Sequence, residues 1–274
     1  MRRSSAFPRI LKNYFRVKPL SALLLALLVA TVHFFDRGDA SLGRVTQVID
    51  GDTIVVTTED GKSEKVRYLL IDTPELHHPT RGEEELGRIA ALENKNLVLG
   101  KKVRLEEDVE RRDRYNRLLA YVWTEGSGGE VLVNEELVRR GVAMPFTLPP
   151  NVRYVNRIRD AFREAREQRR GLWNAAAGRH FTGEQVWAEL PTLAGCFITL
   201  EFRAARMEKK GTRHLLFEKK GHTAIVVYES DRPHLPSLDA LASGKLVLVG
   251  KVQTGREGAE IILRDPTQIV TLGP

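Results

Sequence analysis

Four carboxylates stand at two junctions of the chain: Asp50 and Asp52 flank Gly51, and Asp72 and Glu75 flank Thr73 and Pro74. Clustered hard oxygen donors suit Ca2+ or Mg2+. Calcium is the better match, because it accepts carbonyls and waters in a loose shell whereas magnesium demands a tight octahedron. An Asp-Gly pair also makes an ordinary turn, and Asp50-Gly51 alone says no more than that. The second junction says more, since Pro74 fixes the backbone beside two acids and so sets where their oxygens point. Arg67 lies five residues before Asp72, and Arg117 closes the basic stretch 111–117 just before an apolar run. A guanidinium fork pairs two phosphate oxygens at once. Phosphodiesters resist hydrolysis because their negative charge repels nucleophiles, so a catalyst needs a cation, fixed donors on the phosphoryl oxygens and a group that orients water. These acids and arginines supply each of those roles, although either arginine taken singly is also an ordinary surface base.

Strands must hold these groups. The segments 44–48, 53–57 and 63–70 are β-branched runs punctuated by Asp-Gly pairs, which predicts a three-stranded antiparallel meander bringing Asp52 and Asp72 to one end. Further along, the pattern predicts a helix over 83–98 with Gly100 as its stop, strands over 102–105 and 118–123, and a flexible turn at 125–129. Asn134 is expected to cap a helix reaching Arg140, and Pro145, Pro149 and Pro150 to break the chain before a helix over 154–172. Five strands with a few helices suit a mainly β (α+β) domain, an OB-type five-stranded Greek-key barrel with helices.

Three blocks carry a resemblance: Val48-Ile49-Asp50-Gly51-Asp52-Thr53, then 67–75 (RYLLIDTPE), then 113–121 (DRYNRLLAY). In order and spacing they resemble the thermonuclease, or staphylococcal-nuclease-like, family over about residues 44–173; Gly141 and Gly171-Leu172-Trp173 add matches outside the site. The resemblance implies that Asp52 and Asp72 bind Ca2+ through their carboxylates and Thr73 through its backbone carbonyl, with Asp50 just beyond the ion's ligands. It implies that Arg67 and Arg117 hold the scissile phosphate and that Glu75 positions or deprotonates the attacking water. The implied activity is a calcium-dependent endonuclease on DNA and RNA that cleaves the P–O5′ bond and leaves 3′-phosphates, on an OB-type barrel. Two departures stand out. Asn116 replaces a glycine that often precedes the arginine, and after Gly141, where tyrosines often stack on a base, only Phe146 and the more distant Tyr154 are aromatic. Arg114, Tyr115, Phe146 and Tyr154 are the candidate further substrate contacts. Residues 139–170 hold nine arginines, which either bind the phosphate backbone or form a solvated helix face with ion pairs.

Composition sets the frame. The 274 residues are 42% hydrophobic and 29% charged, ordinary for a globular chain of about two domains. The single Cys196, read as a small buried hydrophobe, excludes an internal disulfide and a multi-cysteine zinc site. The net charge of +7 is misleading, because six bases before residue 19, with no acid, leave +1 for residues 36–274. Behind those bases, residues 19–35 carry no formal charge. The leader 1–40 thus reads as a transmembrane or signal helix that places the rest outside the cytoplasmic membrane, anchored in a periplasmic or cell-surface setting, or secreted after cleavage near Ala40.

The remaining boundaries follow as 41–174 for the nuclease-like domain, 175–182 for a linker and 183–274 for an accessory domain. Strands are predicted there at 197–202, 215–218, 223–228, 246–252 and 260–263, a second OB-like β-barrel whose last two strands resemble those of nucleic-acid-binding OB modules. Lys209, Lys210, Arg213, Lys219 and Lys220 are its candidate strand-binding face, with Trp187, Phe202 and Phe217 as core. If this module only binds, residues 41–180 should cut alone. The partners implied are DNA or RNA and, through the leader, a membrane, with no protein partner evident. The rival to a nuclease is a non-catalytic nucleic-acid-binding or scaffold protein of two OB barrels.

Overall fold

A computed structural model describes residues 40–76, 82–219, 221–256 and 258–273. The expected leader helix lies outside them, and among the described residues no helix is long and apolar enough to cross a membrane. Strands β1 (Ala40–Asp50), β2 (Thr53–Thr58) and β3 (Ser63–Tyr68) form the expected meander, each antiparallel to the next. After the two-residue strand β4 (Ile71–Asp72) come β5 (Lys102–Glu106), β6 (Leu118–Gly126), β7 (Gly129–Leu132) and β8 (Met144–Pro145). β1 also pairs with β5 and β5 with β6, while β6 runs parallel to β3 with Val66 opposite Leu118 and Tyr68 opposite Ala120. That last pairing closes a five-stranded, OB-like barrel in a mixed α+β chain. Its interior is filled by alternate strand residues such as Ile54, Val56, Val66, Tyr68, Leu105 and Ala120.

Four helices pack on this barrel: α1 (Gly87–Val98), α2 (Val133–Arg139), α3 (Val155–Glu167) and α4 (Leu172–Ala176). The first begins later than its apolar spacing suggests, because Leu86 is held at φ 66°, a left-handed conformation that cannot continue a helix. Asn134 is not a cap. It sits inside α2, fully buried, donating to the Leu69 carbonyl at 2.8 Å and accepting from the Val122 amide at 2.9 Å, so it ties β6 to the bend before β4. The long helix expected to Leu172 stops at Glu167 because the chain must turn past Gly141. There a Cβ on Gly171 would lie 2.1 Å from the Gly141 carbonyl oxygen, and one on Gly141 would lie 2.3 Å from that of Arg170. Both positions are restricted to glycine by this contact.

The second half builds another sheet from β9 (His180–Thr182), β10 (Phe197–Arg203), β11 (Arg206–Lys210), β12 (Arg213–Phe217), β13 (Thr223–Tyr228), β14 (Lys245–Thr254), β15 (Ala259–Ile262) and β16 (Ile269–Gly273). The pairing order β11-β12-β13-β15-β14-β10, with β13 and β15 parallel, repeats the pattern of the first barrel if β10 and β11 together stand for one bent first strand. Residues 175–182 are no loose tether: they hold the end of α4 and β9, whose pairing beside β10 draws them into the sheet. Phe202 and Phe217 are buried as expected, but Trp187 is 42% exposed, stacked near His222, and Cys196 is only half-buried.

The halves share a core and charges. Phe197 and Val249 belong to the apolar cluster of the first barrel. Arg159 on α3 pairs with the buried Asp265 at 3.0 Å, and Arg166 donates to the carbonyls of Thr267 and Ile269. The Phe197 amide donates to Glu85 at 2.8 Å. These contacts tie the first barrel to the second half, and cutting at residue 180 would strand Arg159 and expose core. Residues 41–180 alone are expected to lose several kcal/mol, on the order set by breaking buried ion pairs, and to melt well below a full-length chain that unfolds in one transition. Circular dichroism melting of both proteins checks this.

Candidate active site

The barrel end where β1 leaves and β2 enters collects the acids. Asp50 is the last residue of β1, paired across the turn with Thr53, and its carboxylate accepts the Asp52 amide at 3.1 Å. Gly51 allows the turn to press against its neighbours, for a Cβ there would lie 2.7 Å from both Ala90 Cβ and Thr73 Oγ1. Asn94 on α1 locks this corner: its Nδ2 donates to the Asp50 carbonyl at 3.0 Å and its Oδ1 accepts the Tyr68 hydroxyl at 2.8 Å.

Asp52 is 5% exposed and fully engaged. One carboxylate oxygen accepts both the amide and the hydroxyl of Thr73, at 2.9 and 3.0 Å, and the other accepts the Thr53 hydroxyl at 3.0 Å. Burial raises its pKa despite the Arg67 charge nearby. Asp72 is set by the pairing of β4 with β8, opposite Met144. Arg67, on β3 directly opposite Thr53, reaches between the two acids: the same Nη2 lies 3.1 Å from Asp52 Oδ2 and 3.2 Å from Asp72 Oδ1. Its Nη1 donates to the Tyr68 and Ile71 carbonyls. Burial works against its charge, but Asp52, Asp72, Asp50 and Glu75 together raise its pKa. Pro74 is buried, and Glu75 beyond it is exposed at the rim with its pKa raised by desolvation and by the Asp52 and Asp72 charges.

Arg117 arrives from a different loop. β6 starts one residue later, parallel to β3 with Leu119 opposite Arg67, so the two arginines face the same space. A tight turn aims it: Asp113 accepts the Tyr115 and Arg117 amides, both at 2.9 Å, and Arg117 Nε at 2.6 Å. Although burial opposes it, the Arg117 and Tyr115 bonds keep the Asp113 carboxyl below its ordinary range. Asn116 adopts φ 61°, which explains why a glycine serves at this position and why asparagine, the side chain most tolerant of that region, replaces it. Both terminal nitrogens of Arg117 remain without a partner among the described residues. The fork is free.

A cavity of about 550 Å³ unites these groups. Asp50, Asp52, Arg67, Asp72, Glu75, Arg114, Tyr115, Arg117 and Phe146 line it, and Thr73 lies directly behind Asp52. Tyr115 is exposed, with Arg114 and Arg117 guanidinia 4.8 and 5.5 Å from its ring centre. Phe146 reaches the cavity, but Arg264 covers one of its faces at 4.4 Å. Tyr154 does not line it. Its ring packs edge-on against Tyr121 and Trp123, and its hydroxyl donates to Glu106 at 2.8 Å, with burial and that contact pushing its pKa up to about 12.

The arginine-rich segment is likewise committed to structure. Arg139 and Arg140 pair with Glu135, Glu136 and Glu93, Arg153 with Glu106, Arg157 with Glu135, and Arg170 with Glu164. On the second sheet, Lys209 pairs with Glu229, Lys210 with Glu208 and Arg213 with Glu260, Lys219 is exposed, and Lys220 lies outside the described residues. Asn94 and Glu84, which hold the site from behind, carry no signal in the sequence because single polar residues in helical stretches have no spacing pattern, and Asn134 carries only that of a cap.

Similarity to known proteins follows the same residues. A profile described as "Staphylococcal nuclease homologue" matches residues 65–175. The chain is 38% identical over 131 residues to a thermonuclease of Staphylococcus hyicus, covering 48% of this chain and 75% of that protein. It is 38% identical over 137 residues to a thermonuclease of Staphylococcus intermedius, covering 50% and 77%. It is 39% identical over 142 residues to endonuclease YncB of Bacillus subtilis, covering 50% and 65%.

Two variants test this geometry. Arg67→Gln removes the cation between Asp52 and Asp72 and is expected to cost about 3 kcal/mol in chelator, the low end for a buried pair because Asp72 is partly solvated. Denaturant unfolding with and without calcium measures the loss and its recovery. Tyr154→Phe should cost about 1–2 kcal/mol of stability with kcat and KM unchanged, since it loses only a bond to Glu106. The Arg153, Tyr154 and Arg104 bonds hold the Glu106 carboxyl below its ordinary 4.5 against the effect of burial. Their stabilisation is therefore full above pH 4.5 and drains as pH falls through the lower folded value, so the difference in Tm between wild type and variant should shrink in acid.

Proposed function

Since the chain belongs to the staphylococcal nuclease family and is a hydrolytic nuclease, we propose that it is a calcium-dependent endonuclease of DNA and RNA that cleaves the P–O5′ bond and leaves a 3′-phosphate. The observation that carries the reading is the convergence of Asp52 and Asp72 on a single cationic nitrogen of Arg67, in a cavity lined by six acids and three arginines. A polyanion cannot enter such a cavity favourably without a further cation.

The residues fit that cation. Two hard carboxylates already face one positive point, no thiol or imidazole lines the cavity among the described residues, and a loose oxygen shell favours calcium over magnesium. Asp52, Asp72 and the Thr73 carbonyl would hold the ion, with Asp50 orienting Asp52 through its amide. When bound, calcium supplies positive charge to the phosphoryl oxygens and so lowers the barrier for attack.

The remaining work falls to the chain. Arg117 presents its free fork to two phosphoryl oxygens, and Arg67 adds a second guanidinium at the same phosphate. Glu75, unbonded to any described side chain and raised in pKa, orients the water and takes its proton. The P–O5′ bond breaks as the water oxygen bonds to phosphorus, and the departing 5′-oxygen takes a proton from solvent water to leave as a hydroxyl. Tyr115 offers an exposed ring for an adjacent base. The second sheet, whose pairing order matches an OB barrel, would act as an accessory module. The basic, uncharged-core leader supports anchoring outside the cytoplasmic membrane, which cell fractionation checks.

Two measurements test the chemistry. Chelation and Asp52→Ala should each abolish most hydrolysis, and full activity in excess chelator would overturn the cation site. Arg117→Lys keeps the charge but loses the fork, so single-turnover rates should fall on the order of 10²–10³, about 3–4 kcal/mol, while substrate affinity changes far less. Equal loss in rate and affinity would make Arg117 a ground-state binder.

A further inference from the structure

Glu75 has a tether on its far side. Its amide donates to Glu84 Oε2 at 3.0 Å, and its carbonyl accepts the Glu84 amide at 2.9 Å, so the Glu75 backbone is clamped at both ends by one residue. The clamp cannot rely on water. Only 2% of the Glu84 side chain is exposed, and a buried carboxylate needs a charged partner. That partner comes from the second sheet: Lys251 Nζ on β14 lies 2.7 Å from the same Oε2 and is itself 11% exposed. Gly87 closes the fit, for a Cβ there would stand 2.6 Å from the Glu75 carbonyl oxygen. Lys251 and Asp72 also line one narrow cleft between the halves.

The geometry points to Lys251 as a positioning residue for catalysis, acting through Glu84 on the backbone of Glu75. The C-terminal sheet is then part of the catalytic unit, because it supplies a cation that pairs with the Glu84 oxygen aimed at the Glu75 amide. The Glu75 carboxylate accepts no hydrogen bond from a described side chain and feels Lys251 only through its charge, so its place at the cavity rim depends on where its backbone is held. A shift of about 1 Å in such a group costs on the order of a hundredfold in rate. This inference rests on the nuclease reading of the same cavity.

The test uses the full chain with calcium and denatured DNA. Lys251→Met should lower kcat roughly ten- to a hundredfold while KM changes less than about threefold, since Lys251 does not touch substrate. The double variant Glu84→Gln with Lys251→Met removes both charges but keeps an oxygen to accept the Glu75 amide, and it should recover most of the lost kcat. It also keeps the test open if Lys251→Met alone fails to fold. In a Glu75→Gln background, Lys251→Met should cost nothing more. The inference is overturned by a folded Lys251→Met with wild-type kcat, by a folded double variant that stays slow, or by a further loss in the Glu75→Gln background. A Glu75→Gln variant with wild-type kcat would instead remove Glu75 from the mechanism, which is a failure of the site reading and distinguishable from the others.

Discussion

Asp52 is an anion with almost no access to water, and the geometry of the site follows from how its charge is satisfied. Its oxygens take the Thr73 amide and hydroxyl, the Thr53 hydroxyl and the Arg67 guanidinium. Each bond fixes a different piece of chain. Thr73 carries the Asp72–Glu75 turn, Thr53 opens β2, and Arg67 brings in β3. An unpaired carboxylate at this depth costs several kcal/mol, so any rearrangement that frees one of these segments also leaves part of that cost uncompensated. The turn is therefore rigid before any ligand arrives.

The same charge explains the double role of Arg67. Without another cation, its Nη2 is the positive group between Asp52 and Asp72, while Nη1 is spent on two backbone carbonyls. Arg117 differs, since Asp113 engages only its Nε and backbone amide and leaves both terminal nitrogens open. One guanidinium is embedded in the scaffold and the other is presented to the cavity. On the proposed mechanism a phosphate entering from solvent would meet Arg117 first, and the share that Arg67 takes would depend on how far the acids release it.

Much of this was legible in the sequence, for a physical reason. Turn chemistry and β-branched alternation are local, so the meander, the positions of Asp50, Asp52, Arg67 and Asp72 at one barrel end, and five of the eight strands of the second half could be read directly, while β9, β11 and β16 could not. What could not be read depends on contacts distant in sequence. The Leu86 conformation delays α1, the meeting of Gly141 with Gly171 ends α3, and the bonds of Asn134 to Leu69 and Val122 make a buried bridge of an apparent cap. Tyr154 was assigned to the substrate by its place after Gly141, but its hydroxyl is drawn inward by Glu106. The type of Trp187 points to the core, yet its ring lies against His222 and stays 42% exposed.

Charge was the least legible property, and it constrains how this enzyme recognises nucleic acid. Six of the seven net charges come from the bases before residue 19, and most arginines of 139–170 are paired internally or hold the second sheet in place. Among the described residues, these ion pairs reduce the charge free to gather phosphates by counterion release, the usual source of sequence-independent affinity. Attraction must then be concentrated at the cavity, where Arg114 and Arg117 stand beside an excess of acid. Binding and rate acceleration would draw on the same few contacts, so affinity for an unreacted strand stays modest while contacts that strengthen on the extra charge of the transition state act on turnover. That arrangement suits a nuclease that cuts and releases a polymer better than a protein built to hold one.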